Sequence, residues 1–351
     1  MPRPAITRAP AYARLRERGV NPFPNVAASP MTSPLRPILR LIVPLVLASL
    51  LAGCDWVVMN PSGDIANQQR DLILVSTALM LLIILPVIAL TLWFAWKYRA
   101  SNREATYEPE WHHSTRLEIL IWSAPLAIIL VLGTITWIAT HKLDPYRPLD
   151  RIDATRAVPA DVKPLVVEVV ALDWKWLFLY PEQGIATVNE LAAPVDVPIE
   201  FRITSSSMMN SFFIPALAGQ IYAMAGMQTK LHAVINKPGV YKGFSANYSG
   251  DGFSHMRFDF HGLPPTEFDA WVERVRSGDA LGRDEYLTLE KPSEREPVRY
   301  FGKVDPELYN AILNLCVAPG KMCMHEMMHI DMAGGAGIDS RDNRARLQHD
   351  N

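Results

Sequence analysis

Hydrophobic positions along the chain fall into two regimes. Up to about residue 142 they run in unbroken blocks, and beyond it they alternate or recur at helical spacing. Residues 72–96 form a stretch of 25 without a charge, and residues 119–139 one of 21. Crossing a bilayer core takes about 20 apolar residues, so both stretches predict membrane-spanning helices. Pro86, Pro125 and Gly133 lie inside them; membrane helices tolerate such residues because neighbouring helices satisfy the freed backbone groups. Trp93, Trp96, Trp122 and Trp137 stand toward the ends, as interfacial aromatics do. The connection carries Lys97, Arg99, Arg103 and Arg116. The excess of positive charge predicts that this loop, about residues 97–116, is cytoplasmic and that both outer ends are periplasmic.

From Leu165 to His261 the period changes to two. Ile199, Phe201 and Ile203 alternate with Glu200, Arg202 and Thr204; Met256, Phe258 and Phe260 alternate with Arg257, Asp259 and His261. Residues 165–170, 174–180 and 230–236 are further strand candidates. Turn signals separate them at Pro181-Glu-Gln-Gly184, Lys237-Pro-Gly239 and Gly250-Asp-Gly252. Short strands at this spacing predict an antiparallel sandwich or barrel. Two helices follow. Phe268, Trp271, Val272 and Val275 make an i, i+3, i+4, i+7 stripe, with Thr266 as N-cap and Gly278 as stop. Asp305-Pro306 opens the second. Beyond Gly320 the chain is rich in Met, His, Gly and Arg and reads as disordered.

Charge and cysteine usage narrow the function classes. With 34 basic and 36 acidic residues the net charge is −2, which lacks the basic field of a nucleic-acid binder. Cys54, Cys316 and Cys323 are too few for a disulfide-framed domain or an all-Cys metal site. Residues 41–52 are apolar but too short to span, and Arg36 and Arg40 precede them. A basic segment, a short apolar run and small residues make a secretory signal. Its ending, Leu51-Ala-Gly-Cys54, resembles that of bacterial lipoproteins. The resemblance implies cleavage before Cys54, a covalent lipid on its thiol, and, from Asp55, retention in the inner membrane. Met31 is a candidate start, with residues 1–30 either misassigned upstream sequence or a disordered extension.

Three strings carry a wider resemblance: Asp173–Glu190 (DWKWLFLYPEQGIATVNE), Met209-Asn-Ser-Phe-Phe-Ile-Pro215 and Gln220–Thr229 (QIYAMAGMQT). With the lipoprotein signal and two spans, they resemble subunit II of the haem–copper terminal oxidases, in the cytochrome o-type ubiquinol oxidase branch. The resemblance spans about residues 51–263. It implies a membrane-anchored, all-β chain: a two-helix transmembrane hairpin, a periplasmic cupredoxin-like sandwich and short C-terminal helices. The copper-bearing branch of that family holds a dinuclear copper A centre. Its ligand positions fall here on Asn210, Tyr248, Gly250, Gly252, Met256 and Asp259, none of which keeps the family's ligand. The family's two bridging thiolates have no counterpart, because residues 143–263 hold no Cys. His255 lies one residue from a lost His position. The resemblance therefore implies a non-redox subunit, with haems and copper in subunit I, and subunits I, III and IV as partners. Ubiquinol would be met through subunit I, and no nucleic acid is expected.

The same reading divides the chain into a signal and extension (1–53), a lipidated periplasmic segment (54–71), the hairpin (72–142), the sandwich (143–263), a helical region (264–318) and a Met/His-rich tail (319–351). Trp174 and Trp176 are expected to serve packing or surface contact. Glu118, the last charge before the second span, is either a helix-end carboxylate paired with Arg116 or, by resemblance, the entrance of a proton channel of subunit I. His112 and His113 lack a third ligand. Met322-Cys-Met-His-Glu-Met-Met-His329 offers soft donors suited to Cu(I), so a copper-handling lipoprotein is the alternative function; cytochrome c oxidase subunit II proper is a third. A disulfide between Cys316 and Cys323 is permitted in the periplasm but not decided.

Overall fold

The computed structural model describes residues 56–332 except 107 and 109. The signal, Cys54 and Asp55, and the tail beyond 332, lie outside the described residues. Two long helices come first, α1 (Asp64–Lys97) and α2 (Thr115–Lys142). Over residues 72–96 and 119–139 both are apolar on every face, and side chains such as Leu82, Leu92, Ile129 and Leu130 point outward. A helix hydrophobic all round needs lipid or other helices around it. At a rise of about 1.5 Å per residue each is long enough to cross a bilayer. Thr91, Thr134 and Thr140 return their hydroxyls to the carbonyls of Val87, Leu130 and Thr136, so these polar groups cost little in an apolar setting.

Twelve strands follow: β1 (Leu165–Leu172), β2 (Lys175–Tyr180), β3 (Ile185–Val188), β4 (Glu190–Pro194), β5 (Ile199–Ser205), β6 (Asn210–Phe213), β7 (Ile221–Ala223), β8 (Thr229–Ala233), β9 (Gly239–Ser245), β10 (Arg257–Leu263), β11 (Asp279–Leu281) and β12 (Arg299–Val304). Four helices lie among and after the last of them: α3 (Pro265–Arg276), α4 (Arg283–Leu289), α5 (Leu308–Leu313) and α6 (Met324–Met332). One sheet has the order β11-β12-β3-β2-β1-β5-β8, the other β4-β10-β9-β6-β7. The sandwich is mixed rather than purely antiparallel. β1 pairs parallel with β5, and β4 parallel with β10. Between each such pair the chain passes through the opposite sheet, which supplies the long crossover a parallel pair needs.

The expected alternation holds where one face is buried. Ile199, Phe201 and Ile203 face the core, as do Met256, Phe258 and Phe260. It fails in β2, whose six residues are all buried. The first sheet is covered on both sides. Val167, Val169, Trp176 and Phe178 meet the second sheet, whereas Val170, Leu172, Leu177 and Leu179 meet Tyr286, Leu289, Leu308 and Ile312 of α4 and α5. Strands buried on both faces read as continuous apolar runs.

Three boundaries differ from the sequence expectation. The folded domain does not close at residue 263, because β12 pairs antiparallel with β3 and extends the first sheet. Residues 264–318 are thus part of the sandwich and not a purely helical appendix. Thr266 lies inside the first turn of α3, after a Pro264–Pro265 start. Residues 324–332 of the tail are helical; a disulfide between Cys316 and Cys323 and a bond from Met324 N–H to Asn314 O hold the start of that helix.

Candidate functional site

The six positions aligned with the copper A ligands lie on β6, on the β9–β10 connection and on β10. Asn210 opens β6 and is buried. Its Nδ2 donates to Met208 O (3.1 Å), and its Oδ1 accepts from the Ser245 hydroxyl (3.0 Å). The loop between β9 and β10 carries Tyr248, Gly250 and Gly252, and β10 carries Asp259. Tyr248 points to solvent, its ring edge-on to Phe253. Met256 is 1% exposed and belongs to the core. Asp259 pairs with Lys242, its register partner on β9. No thiolate or imidazole stands at any of these positions, and the donors that remain are engaged or turned apart: Met256 in the core, Tyr248 toward solvent, Asp259 on Lys242 and Asn210 on Met208 and Ser245.

Of the two positions aligned with thiolates, Tyr248 points to solvent and Gly252 lies under an indole. Trp174 sits in the β1–β2 turn in the left-handed region (φ 67°) and donates Nε1–H to Ser249 O (3.1 Å). Its ring lies against both glycines. A Cβ on Gly252 would stand 2.5 Å from Trp174 Cγ and Cδ2, and one on Gly250 3.2 Å from Cζ2. Gly250 itself has φ 109°, which L side chains rarely adopt. His255 closes the 3-10 turn Asp251–His255. Its Nε2 is 3.1 Å from Arg295 Nη2, which donates to it, and 3.9 Å from Glu294. It turns toward the C-terminal region, away from Asn210. Beneath the site lies an aromatic core. Phe212 and Phe258 stack (5.5 Å, 4°), and Trp176 packs edge-on to both. Trp176 is fully buried in this core, and Trp174 is partly buried against it.

The remaining expected features are scattered. Glu118 is in the first turn of α2, and its partner is His113 (Nδ1–Oε1 2.8 Å), not Arg116. His112 donates its Nδ1–H locally, to Glu110 O. Cys323 is bonded to Cys316, so the tail's donors within the described residues are thioethers, imidazoles and the carboxylates of Glu326 and Asp331. Among the described residues no three His, Cys, Asp or Glu side chains converge as a metal would require.

Two clusters escape sequence reasoning. Glu190 accepts from Trp271 Nε1 (2.7 Å) and from the Tyr300 hydroxyl (2.8 Å), with His261 Nε2 at 3.6 Å. It joins β4, β10, α3 and β12. Burial and the Glu190 carboxylate push the Tyr300 phenol up to about 12. Asp64, in the first turn of α1, is 5% exposed and is held by Arg151 through Nε (2.8 Å) and Nη2 (3.1 Å). The partners are 87 residues apart, so no local pattern announces them.

These features define a class: a cupredoxin-type sandwich carried on an apolar helical hairpin, the architecture of subunit II of the terminal oxidases. The family model for "Cytochrome C oxidase subunit II, periplasmic domain" matches residues 181–261, and the "COX Aromatic Rich Motif" matches residues 276–320, the segment that adds β12. Cytochrome bo(3) ubiquinol oxidase subunit 2 of Pseudomonas aeruginosa is 55% identical over 76% of this chain and 78% of its own. Ubiquinol oxidase subunit 2 of Acetobacter aceti is 53% identical over 76% and 84%. A solved periplasmic domain of cytochrome oxidase subunit II from Bradyrhizobium japonicum is 22% identical, covering 33% of this chain and 94% of that one, with a TM-score of 0.31. The chain belongs to the ubiquinol oxidase subunit 2 family: it is a membrane-anchored subunit of a respiratory oxidoreductase complex, with a periplasmic domain and other oxidase subunits as partners.

Proposed function

We propose that this chain is the non-redox subunit II of a proton-pumping oxidase that takes four electrons from ubiquinol and reduces dioxygen to water. The observation that carries the reading is the Trp174 indole seated on Gly250 and Gly252, together with a donor set that does not fit a thiolate-bridged copper pair. A lipid-soluble reductant needs no periplasmic relay. Electrons from ubiquinol can reach haem within subunit I, which holds the haems and copper, while subunits III and IV complete the assembly. The chain then crosses a bacterial inner membrane twice, and Cys54 carries a covalent lipid. Metal analysis and near-infrared spectra of the complex purified through this chain test the reading. Copper confined to subunit I, with no copper A band, is expected. A copper A band overturns it, and copper that follows residues 319–351 instead favours the copper-handling alternative. Mass spectrometry of the mature N-terminus should find an acylated Cys54; an unmodified chain starting at Met1 or Met31 contradicts the anchor.

Glu118 is part of the same proposal. A carboxylate at the cytoplasmic end of a span can collect protons for a channel in subunit I. Glu118→Gln should then slow oxidase turnover well beyond Glu118→Asp at unchanged haem content. Unchanged turnover in Glu118→Gln would reduce the residue to a helix-end charge favoured by the macrodipole.

A further inference from the structure

We infer that the junction between hairpin and sandwich is a binding site for a zwitterionic phospholipid of the periplasmic leaflet, of the phosphatidylethanolamine class. The cavity there has a volume of about 220 Å³. Its walls come from the start of α1, the end of α2, the segment 143–151 and the β7–β8 side of the sandwich. Depth is the first argument. The charge-free stretches end at Leu72 and Ala139; Gln69 and Lys142, which line the cavity, stand three residues further out. That is about 4.5 Å at the helical rise. The polar layer outside the hydrocarbon core is about 5–7 Å thick per leaflet, so the floor of the cavity, at Gln69 and Lys142, lies at headgroup level and its upper wall at Asp64 rises beyond it.

Charge is the second argument. Asp64 and Arg151 satisfy one another, as do Arg147 and Asp150 (2.7 Å). Among the lining charges this leaves Lys142 and Asp144, neither in an ion pair among the described residues. Asp144 Oδ1 accepts the Tyr146 N–H, leaving its other oxygen open. One free cation and one free carboxylate match a phosphate and a primary ammonium. An anionic headgroup would leave Asp144 opposed, and a quaternary ammonium has no N–H to donate to it. His232 is mostly buried, and its Nδ1 donates to Pro145 O (3.1 Å), which leaves Nε2 as a further polar partner in the wall.

An apolar neighbour is the third argument. Gln69 also lines a groove of about 280 Å³ whose other walls include Leu72, Ile73, Phe213 and Pro215. A polar cavity opening beside an apolar groove at the top of the hydrocarbon layer suits a molecule with a headgroup and a chain. A free phosphate or a soluble amine would leave the groove unused.

The inference rests on α1 and α2 spanning the bilayer, which alkaline carbonate extraction checks separately: a chain that is extracted fails the span, whatever the lipid result. The test uses the intact oxidase complex in mild detergent with a photoactivatable phosphatidylethanolamine. Cross-links should map to segments 64–73, 142–151 and 213–232 of this chain. Lys142→Gln and Asp144→Asn, both exposed positions, should each lower labelling at least fivefold without changing the melting temperature. Unlabelled phosphatidylethanolamine should compete at least tenfold better than phosphatidylglycerol, and water-soluble glycerophosphoethanolamine should not compete. Labelling unchanged in both variants, equal competition by phosphatidylglycerol, or full competition by the soluble headgroup each overturns the proposal.

Discussion

Gly252 shows how a single missing Cβ governs the packing of the Trp174 end of the domain. Any side chain there meets the Trp174 ring at 2.5 Å, and overpacking of a closed site costs about 1–3 kcal/mol. Gly252→Cys should therefore lower the melting temperature without binding copper. Adding Trp174→Ala should recover part of the loss, a non-additivity that a double-mutant cycle in thermal melts would measure. Glu168 offers a second residue-scale test. It lies mid-strand in β1, and burial raises its carboxyl to about 7 against the opposing pull of Arg202. A carboxyl whose folded pKa is raised favours the folded state when protonated. Its contribution is full below about pH 4.5 and is lost as pH rises through 7. Glu168→Gln should flatten the stability profile between pH 5 and 8 and raise stability at pH 8, on the order of 1 kcal/mol after screening. A profile identical to wild type would remove Glu168 from the pH response.

At the scale of elements, β12 is the piece that closes the domain. It pairs with β3, its Tyr300 reaches Glu190, and α4 and α5 cover the outer face of the first sheet. Ending the chain at residue 263 would leave β3 as an open edge and expose Val170, Leu177 and Leu179. Such an edge with an apolar face invites aggregation. We expect the truncated protein to be recovered as aggregate, and a chain ending after residue 320 to fold, as judged by size exclusion in detergent. Within α3, Trp271 fills the contact to Tyr180 (5.4 Å) and donates to Glu190. Trp271→Ala should cost about 3–5 kcal/mol, read from chemical denaturation.

At the scale of the whole molecule, the joint between hairpin and sandwich is built from few atoms. The N–H groups of Ser62 and Gly63 both reach Ala216 O (2.9 Å). Gly63 lies so close to the sandwich that a Cβ would come within 2.6 Å of Leu217 O and 2.7 Å of Val234 O. The Asp64–Arg151 pair completes the joint. Arg151→Ala leaves a buried carboxylate without its cation, whereas Asp64→Asn with Arg151→Gln keeps a neutral hydrogen-bonding pair. The single variant should lose about 1–3 kcal/mol, and the double variant less. Hydrogen exchange at residues 62–66 and 214–218 would report the loosening; equal protection in all three proteins would show that the ion pair does not hold the joint.

Much was legible before any fold was known, and for local reasons. Charge-free length identifies the two long apolar helices, because lipid solvation acts on each segment by itself. Alternation at Ile199–Ile203 and Met256–Phe260, and the Phe268–Val275 stripe, follow from which face of one element is buried. The missing thiolates are likewise a matter of residue identity. What tertiary structure alone decided depends on residues far apart in the chain. Parallel pairing of β1 with β5, the return of β12 to the sheet, and the indole over Gly252 are set by which elements meet. The same holds for the bonds of Glu190 to Trp271 and Tyr300, 81 and 110 residues away, and for the clamp on Asp64. A pattern of period two or 3.6 records only that a face is buried, whereas the partner across that face is chosen by the packing of the whole chain.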